Sequence, residues 1–332
     1  MAVKKLRKIQ IGLETVKGTA LAATDIWRGE GMLEDQLEVV FPEEDIGILP
    51  GVDRSYIPKL AAGITIEDTP LTFEQCPILL ACAVDDIVAG VQDGTGSGYV
   101  YEYIGPTTSD PGFKTYTIEG GDDQQAEEME YAFATEVTLK GAAGEAWMMG
   151  ATLVGRQVDP TTFTAALTVD AVEEALFSKT KLYIDDSGGT IGTTLKSNTL
   201  LDAEVVITTG LQPVFTGDGE LYFSFAKRVA PECMLTITFE HDATSVAEKA
   251  AWRAQTTRLI RMVCLGSALT SPDTETNKRL TVDLAGRWES FEALDEVDGN
   301  DIVRGTLRAR YASADSLFFQ IDLVNEVIEI LD

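Results

Sequence analysis

The chain has 332 residues, 45% of them hydrophobic, which is enough for two ordinary domains with real cores and argues against disorder. Its formal net charge is −28, with 54 acidic against 26 basic residues, so a surface that grips nucleic acid or anionic lipid is not expected. The longest apolar run is too short for a membrane helix. No CxxC pair occurs, and buried free thiols are expected at Cys76, Cys82, Cys233 and Cys264.

Residues 1–26 predict an extended arm rather than part of a core. The segment begins basic, continues with small and flexible residues, and carries little apolar surface. Arms of this kind usually lie on a neighbouring molecule. No apolar stretch follows the basic start, so a signal peptide is not expected, and synthesis in a cytoplasm is.

The first half predicts strands with one helix among them. Alternating polar and apolar residues predict half-buried strands over 30–41 and 59–67, separated by a long acidic and apolar loop over 42–54. Helix start signals at 69–75 precede an apolar face made of Phe73, Cys76, Leu79, Leu80 and Ala83. Further strands are predicted near 99–104, 114–119, 129–140 and 146–154.

The second half predicts the same order of elements after a seam at 157–160. A capping box formed by Ser245 and Glu248 predicts a helix that continues to about Thr256. Strands are predicted near 200–208, 220–225, 234–240, 259–264, 279–284, 303–311 and 317–324.

Short stretches of the first half recur in order in the second half at a nearly constant spacing. They join 37–41 to 203–207, 64–67 to 235–240, 116–119 to 280–283, 138–140 to 306–308 and 153–154 to 323–324. Such a repeat predicts two copies of one unit. The predicted fold is α+β, mainly β. It has two tandem β-sandwich or half-barrel units, at 1–158 and 159–332, each with one flanking helix.

Catalysis is poorly supported by the residues. His241 is the one histidine, so a histidine-rich metal site is not expected, and no cofactor is predicted. Gly94–Gly98 precedes a strand rather than a helix, which favours a hairpin turn over a phosphate loop. The acidic stretch 295–301 lacks EF-hand spacing and is typical of a solvated turn.

An ordered set of short motifs resembles the amino-terminal part of the tail tube (major tail) proteins of tailed bacteriophages. The residues that carry this resemblance are Ile9–Thr15, Gly18–Thr24, Phe41–Asp45, Arg54–Tyr56 and Thr72–Gln75. The resemblance implies a β-sandwich flanked by a helix, whose strands line a tube. It also implies that six units close a ring and that rings stack head to tail. With two units in one chain, three chains would make a pseudo-hexameric ring. A hexamer with one unit on the outside is also compatible with the repeat.

The resemblance implies a structural, non-enzymatic protein of the virion tail that is made in the host cytoplasm. Its partners would be copies of itself, the tape-measure protein and tail-end proteins. Double-stranded DNA would be a passenger that no residue holds specifically, and no membrane is involved. Another self-assembling phage β protein, or a carbohydrate hydrolase with two carboxylates, are the alternatives.

Two sets of residues are candidates for roles in such a tube. The predicted lumen-facing residues are polar members of alternating strands: Glu30, Glu34, Gln36, Glu38, Thr65, Glu67, Asp202, Glu204, Thr208, Thr236, Thr238 and Glu240. An ordinary solvent-facing sheet would show the same pattern. The residues predicted to contact the next ring lie in the long loop: Pro42, Glu43, Glu44, Asp45, Ile46, Ile48, Leu49 and Arg54.

Overall fold

The computed structural model describes residues 4–297 and 299–331 of the chain. Within them, strands account for 48% and two helices for 7%, and the large sheets are antiparallel. The prediction of a mainly β, α+β fold is therefore confirmed.

The strands of the first half follow the chain as β1 (Lys8–Leu13), β2 (Asp25–Trp27), β3 (Gly31–Asp35), β4 (Ala62–Pro70), β5 (Val91–Gln92), β6 (Tyr99–Ile104), β7 (Tyr116–Gly121), β8 (Ala126–Ala142), β9 (Met148–Gly155) and β10 (Val158–Thr161). Helix α1 (Cys76–Ala81) lies between β4 and β5.

The strands of the second half are β11 (Thr180–Asp186), β12 (Leu195–Lys196), β13 (Leu200–Thr208), β14 (Leu211–Val214), β15 (Phe225–Arg228), β16 (Glu232–Glu240), β17 (Arg258–Ala268), β18 (Asn277–Phe291), β19 (Asp295–Val297), β20 (Asn300–Ala309) and β21 (Phe319–Asn325). Helix α2 (Ala243–Ala254) lies between β16 and β17.

Helix α1 forms where the sequence predicted a helix. Pro77 stands in its first turn, where the missing N–H costs no intrahelical hydrogen bond. The side chain of Gln75 makes no capping hydrogen bond, so burial of the apolar face stabilises this short helix. The predicted face is buried throughout: Phe73, Cys76, Leu79, Leu80 and Ala83.

The capping box of α2 begins three residues earlier than predicted. Asp242 is the N-cap, and its carboxylate accepts a hydrogen bond from the N–H of Ser245 at 2.9 Å. The hydroxyl of Ser245 accepts in return from the N–H of Asp242 at 3.1 Å. Glu248, the predicted box partner, is buried instead and accepts hydrogen bonds from Arg258 and Trp288, both at 2.9 Å.

The prediction of an arm over residues 1–26 is wrong for the part that the structure describes, which excludes residues 1–3. β1 pairs with β2 on one side and β7 on the other. Ile9 and Ile11 lie in the main hydrophobic core. The strand is short and Gly-containing, so its alternation is weak evidence in the sequence alone.

β3 is shorter than the strand predicted over 30–41. It pairs with β4 only over Gly31–Asp35, after which the chain leaves the sheet. Beyond that point an isolated bridge joins Val40 to Tyr56. The alternation that continues to Phe41 therefore belongs to a loop rather than to a strand of this chain's sheet.

The strand pairing of the first half recurs in the second half. In the first half, β1 pairs with β2 and β7, β7 with β8, β8 with β9 and β10, β9 with β4, and β4 with β3. In the second half, β11 pairs with β12 and β17, β17 with β18, β18 with β20 and β21, β20 with β16, and β16 with β13. We call these sets of strands the first unit and the second unit.

A β-bulge marks equivalent positions in the two units. It lies between Ala134 and Glu136 where β8 pairs with β9, and between Trp288 and Ser290 where β18 pairs with β20. The spacing of equivalent residues in these strands is therefore 290 − 136 = 154. Both long strands change partners near this point: β8 pairs first with β7 and β10 and then with β9 and β13, and β18 pairs first with β17 and β21 and then with β20.

Four of the five sequence matches do not join strands that are equivalent by pairing. The exception joins β4 to β16, whereas the others join 37–41 to 203–207, 116–119 to 280–283, 138–140 to 306–308 and 153–154 to 323–324. Leu33 faces Ile64 in the first unit, and Val205 faces Leu235 in the second. Leu33 is therefore the counterpart of Val205, at a spacing of 205 − 33 = 172.

Strands of the first half of the chain pair with strands of the second half. β8 of the first unit pairs with β13 of the second, and β6 pairs with β21. The predicted boundary between residues 158 and 159 falls inside β10, which pairs with β8. By pairing, the first unit thus extends to Thr161, while the division into domains at 1–158 and 159–332 stays a prediction.

A hairpin of the second unit packs on the first unit. It is formed by β14 and β15, between β13 and β16, and the short strand predicted at 220–225 begins only at Phe225. Leu211 and Phe223 of this hairpin are buried. They form a second hydrophobic cluster with Phe113, Tyr131 and Phe133.

Two arginines fix the hairpin through backbone carbonyls. Arg156 of the first unit donates hydrogen bonds to the carbonyls of Phe223 and Ser224, at 3.1 and 3.0 Å. Arg228 of the hairpin, whose side chain is 4% exposed, donates to the carbonyl of Ala83 at 2.9 Å. Hydrogen bonds from a charged donor are stronger than neutral ones, so both arginines hold the units together.

We expect Phe223→Ala to lower the free energy of unfolding by about 3–5 kcal/mol, because it leaves a cavity between the hairpin and the first unit. Urea unfolding followed by fluorescence measures this loss. The matched control is Phe225→Ala in the same hairpin, where the ring is 46% exposed and the change should stay within about 0.5 kcal/mol. Equal losses for the two variants would contradict the packing described here.

Asp322 makes the stability dependent on pH. It lies in β21 opposite Glu102 of β6. Burial, assisted by the nearby carboxylates of Asp283 and Glu102, raises the pKa of Asp322 to about 6, although a hydrogen bond from Gln320 acts in the other direction. The folded chain therefore binds this proton more tightly than the unfolded chain. Its contribution to stability is present at low pH and is lost as the pH rises from about 4 to about 6.

We expect Asp322→Asn to raise the free energy of unfolding by about 1–2 kcal/mol at neutral pH, because the amide removes a buried charge and keeps an acceptor for Gln320. The gain should vanish near pH ~4, where the carboxyl is protonated in the folded state. Urea unfolding at several pH values tests this. The exposed Asp170→Asn should leave the pH dependence unchanged, and a gain independent of pH would refute the assignment.

Candidate assembly surface

One sheet runs through both units without a break. Its eight strands pair in the order β3, β4, β9, β8, β13, β16, β20 and β18. Side chains alternate along each strand, so one face enters the core and the opposite face is polar. We call the latter the polar face and define it by two rows of facing residues. They are Thr65, Thr152, Glu136, Thr208 and Glu232, and Met148, Lys140, Glu204, Thr236 and Thr306.

Four of the predicted lumen-facing residues of the first unit lie on the polar face. Thr65 and Glu67 are exposed members of β4, and Glu34 of β3 is exposed opposite Gly63. Glu30 immediately precedes β3, and its carbonyl accepts a hydrogen bond from the N–H of Glu67 at 2.9 Å. The structure therefore brings these residues together on one surface.

Gln36 and Glu38 lie beyond the end of β3, because this strand is shorter in the structure than the sequence predicted. The N–H of Gln36 still donates to the carbonyl of Ala61 at 2.9 Å, at the margin of the polar face. Glu38 is in the loop that follows and forms an exposed ion pair with Lys59 at 3.5 Å. Glu38 is thus not part of the sheet.

The predicted residues of the second unit lie on β13 and β16 and are in register. Asp202 faces Thr238, and Glu204 faces Thr236. Thr208 and Glu240 belong to the same face; each is the last residue of its strand, and the antiparallel pairing places them at opposite ends of the sheet. Of the set, Thr238 is only 5% exposed, so it lines this surface less than the others do.

The predicted lumen-facing residues do not include those that β8, β9 and β20 contribute to the polar face. The alternating residues Glu136, Thr138 and Lys140 lie on β8, and Arg304, Thr306 and Arg308 lie on β20. Their alternation was visible in the sequence. The pairing of β8 with β13, which places them beside the predicted residues, was not.

Ion pairs neutralise part of the charge on the polar face. Arg308 lies 2.5 Å from Glu232, and Lys140 pairs with Asp68. The hydrogen bond from Lys140 to Asp68 raises the pKa of this lysine. Among the described residues, the carboxylates of the face that form no ion pair are Glu34, Glu67, Glu136, Asp202 and Glu240.

Both lateral edges of the eight-stranded sheet are unpaired in the described part of the chain. β3 pairs with β4 alone, and residues 287–291 of β18 pair with β20 alone. A free edge presents backbone N–H and C=O groups that another strand can pair with. Because the two edges lie at opposite ends of the same sheet, copies of the chain can join side by side.

The loop between β3 and β4, residues 36–61, holds the residues predicted to contact the next ring. Arg54 donates two hydrogen bonds to the carboxylate of Glu44, at 2.6 and 3.1 Å. Leu49 is fully exposed, as few leucines of a folded chain are. The other predicted contact residues of the loop are Pro42, Glu43, Asp45, Ile46 and Ile48, of which both isoleucines are exposed.

The residues considered for catalysis do not form a site in the described part of the chain. His241 is exposed and immediately precedes the N-cap of α2. Gly94–Gly98 forms the turn between β5 and β6, as predicted. Among the described residues, no group of three or more His, Cys, Asp or Glu is arranged to hold a metal ion. The acidic stretch 295–301 includes Asp298, which lies outside these residues.

The cysteines are buried and unpaired, as predicted. Burial raises the pKa of Cys76 and of Cys82 to about 12, so both thiols stay protonated. None of the helices in the described residues is long and apolar enough to cross a membrane.

No protein-family model matches the chain, and no curated protein matches it. Strand pairing, the polar face and the free edges are therefore the features from which a function can be argued.

Proposed function

We propose that this chain is a structural protein of a bacteriophage tail, which assembles with copies of itself into stacked rings that form the tail tube. The observation that carries the proposal is the eight-stranded sheet, with one polar face and two free edges. Such a sheet can close with its neighbours into a barrel, and closure removes the edges. The role is non-enzymatic.

A ring of three chains follows from the internal repeat. Each unit supplies four strands, and three copies supply 3 × 8 = 24 strands from six equivalent units. With strands ~4.8 Å apart and tilted by ~40°, a barrel of this size is about 48 Å across at the backbone, which leaves an open channel. A hexamer with one unit outside would interrupt the shared sheet, so the pairing of β8 with β13 favours the trimer.

The polar face would line the channel. Its unpaired carboxylates, among them Glu67 and Glu136, carry the same charge as DNA phosphates and would keep DNA from adhering. Double-stranded DNA is then a non-specific passenger. The tape-measure protein inside the tube and the tail-end proteins are the remaining partners of this proposal, which places the chain in the virion after synthesis in the host cytoplasm.

The tip of the β3–β4 loop is our candidate for contact between stacked rings. Ile46, Ile48 and Leu49 expose apolar surface that a soluble monomer gains nothing by presenting. A head-to-tail contact of this kind repeats along one axis and therefore produces a filament.

We expect the purified chain to form hollow rings and tubes in electron microscopy, with three chains in each ring by native mass analysis. The test variant is Asp35→Pro. The N–H of Gln36 points towards β4, so the N–H of Asp35 points to the free edge, and proline removes it without breaking the β3–β4 ladder. This variant should fold and fail to form rings, whereas the control Asp35→Ala should form them.

Discrete globules at every concentration would contradict the tube. Globules that cleave polysaccharide would support the hydrolase, and sheets or spikes without a channel would support another self-assembling phage protein.

We expect lysines on the polar face to make assembled tubes retain DNA. In the test variant Glu34, Glu67 and Glu136 are all replaced by lysine, which should increase binding of duplex DNA about tenfold or more at low salt, with a steep loss at high salt. Co-sedimentation of labelled DNA with the tubes measures this. The matched control replaces the exposed Glu145, Asp170 and Glu174, which lie outside the polar face. Equal retention by both variants would show that the polar face does not line the channel.

A further inference from the structure

The contact between the two units of one chain serves as a template for the contact between two chains. Inside the chain, β8 pairs with β13, and the hairpin that follows β13 packs on residues of β8. In a ring, the second unit is followed by the first unit of the next copy. β18 of one copy would then pair with β3 of the next copy, as β8 pairs with β13 inside the chain.

The β3–β4 loop is the counterpart of the hairpin. Each connects equivalent strands, β3 to β4 in one unit and β13 to β16 in the other. The bridge between Val40 and Tyr56 matches the pair formed by Gln212 and Lys227, since 212 − 40 = 172 and 227 − 56 = 171. These spacings agree with those of the flanking strands.

The two segments differ in burial. In the hairpin, Leu211 is 3% exposed because the first unit covers it. In the loop, Val39 stands at the position of Leu211, since 211 − 39 = 172, and is 41% exposed. Phe41 and Tyr56 are 61% and 52% exposed. The loop therefore has apolar surface at the positions where the hairpin has its partner.

The surface that would receive the loop on the second unit is basic. Phe133, which packs against the hairpin, corresponds to Arg287, since 287 − 133 = 154. Arg308 lies directly opposite Arg287, and Arg310 is two residues further along the same face of β20 and its continuation. Arg287 thus stands where the first unit has Phe133, and Arg308 and Arg310 lie beside it.

The loop carries the complementary charge. Glu43, Asp45 and Asp53 are exposed and form no ion pair among the residues that the structure describes. Arg287 and Arg310 likewise form none there, although Arg287 donates a hydrogen bond to Thr257 at 3.1 Å. Unpaired charges of opposite sign on the two surfaces favour their association.

We propose that the β3–β4 loop of one copy packs on Arg287, Arg308 and Arg310 of the next copy in the ring, while β3 of the first pairs with β18 of the second. This inference rests on the proposed ring and names the surfaces that close it. The contact between chains is charged where the contact inside the chain is aromatic, so a free chain exposes less apolar surface.

The template assigns one ion pair across the contact. Arg156 donates to the carbonyls of Phe223 and Ser224 in the hairpin, and its counterpart is Arg310, since 310 − 156 = 154. Counted back from Tyr56, Asp53 matches Ser224 of the hairpin, and counted forward from Val40 it matches Phe225, the next residue. Arg310 of one copy therefore lies beside Asp53 of the next.

The template also assigns the register of the strands. Thr208 faces Glu136 inside the chain. Their counterparts are Gln36, since 208 − 172 = 36, and Ser290, since 136 + 154 = 290. Gln36 of one copy therefore faces Ser290 of the next.

The register is tested by paired cysteines in assembled rings. The chain carrying Gln36→Cys and Ser290→Cys should give most chains cross-linked between copies after mild oxidation, on a non-reducing gel. The control carries Leu37→Cys and Ser290→Cys, and it should cross-link at least about fivefold less, because a shift of one residue turns the side chain to the other face. The native cysteines are buried and do not interfere.

The ion pair is tested by exchanging its charges. Arg310→Asp alone, or Asp53→Arg alone, should raise the protein concentration needed for half-assembly about threefold to tenfold, and the two together should restore most of the loss. Arg253→Asp, at another exposed arginine outside the contact, should change that concentration less than about twofold. Rings that cross-link equally in both registers, or that ignore the charge exchange, overturn this contact and leave the tube standing. Failure of the unmodified chain to form any ring overturns both.

Discussion

The pairing of β8 with β13 is the constraint on which the rest of this structure depends. It runs in register from Asp202 to Thr208 and joins two units that would otherwise each end in a free edge. Because these hydrogen bonds are made by the backbone, they require no particular side chains and can be repeated between chains. The same pairing makes the polar face continuous across both units.

The side chains around this pairing show how the two units have diverged. Inside the chain, Phe223 is fully buried against the first unit, since folding brings the two units together in any case. The equivalent surface of the second unit has Arg287 in place of Phe133. In the proposed ring, an arginine at this position leaves less apolar area exposed on the receiving surface of a chain that has not yet assembled.

The sequence predicted local structure well and pairing poorly, for a physical reason. Alternation predicted the bounds of β13 to the residue and the bounds of most other strands to within a few residues, since it reflects burial of one face. It carries no information about which strand lies alongside, so four of the five sequence matches did not join equivalent strands. The long strands β8 and β18 each change pairing partners along their length, which a single alternating pattern cannot reveal. The polar face was therefore predicted only in part, and the share that β8 and β20 contribute became visible once their partners were known.

The two units contribute equivalent strands to the polar face but differ in how its charges are paired. In the second unit, Glu232 is paired with Arg308, and Glu204 lies 4.0 Å from Arg304. In the first unit, Glu67 is among the carboxylates without such a partner. A four-stranded sector is about 19 Å wide, which exceeds the screening length of ~8 Å in physiological salt. In the proposed ring, six units of equivalent shape would therefore present three more acidic sectors alternating with three in which arginines neutralise part of the charge, and DNA would pass through a channel of threefold electrostatic symmetry.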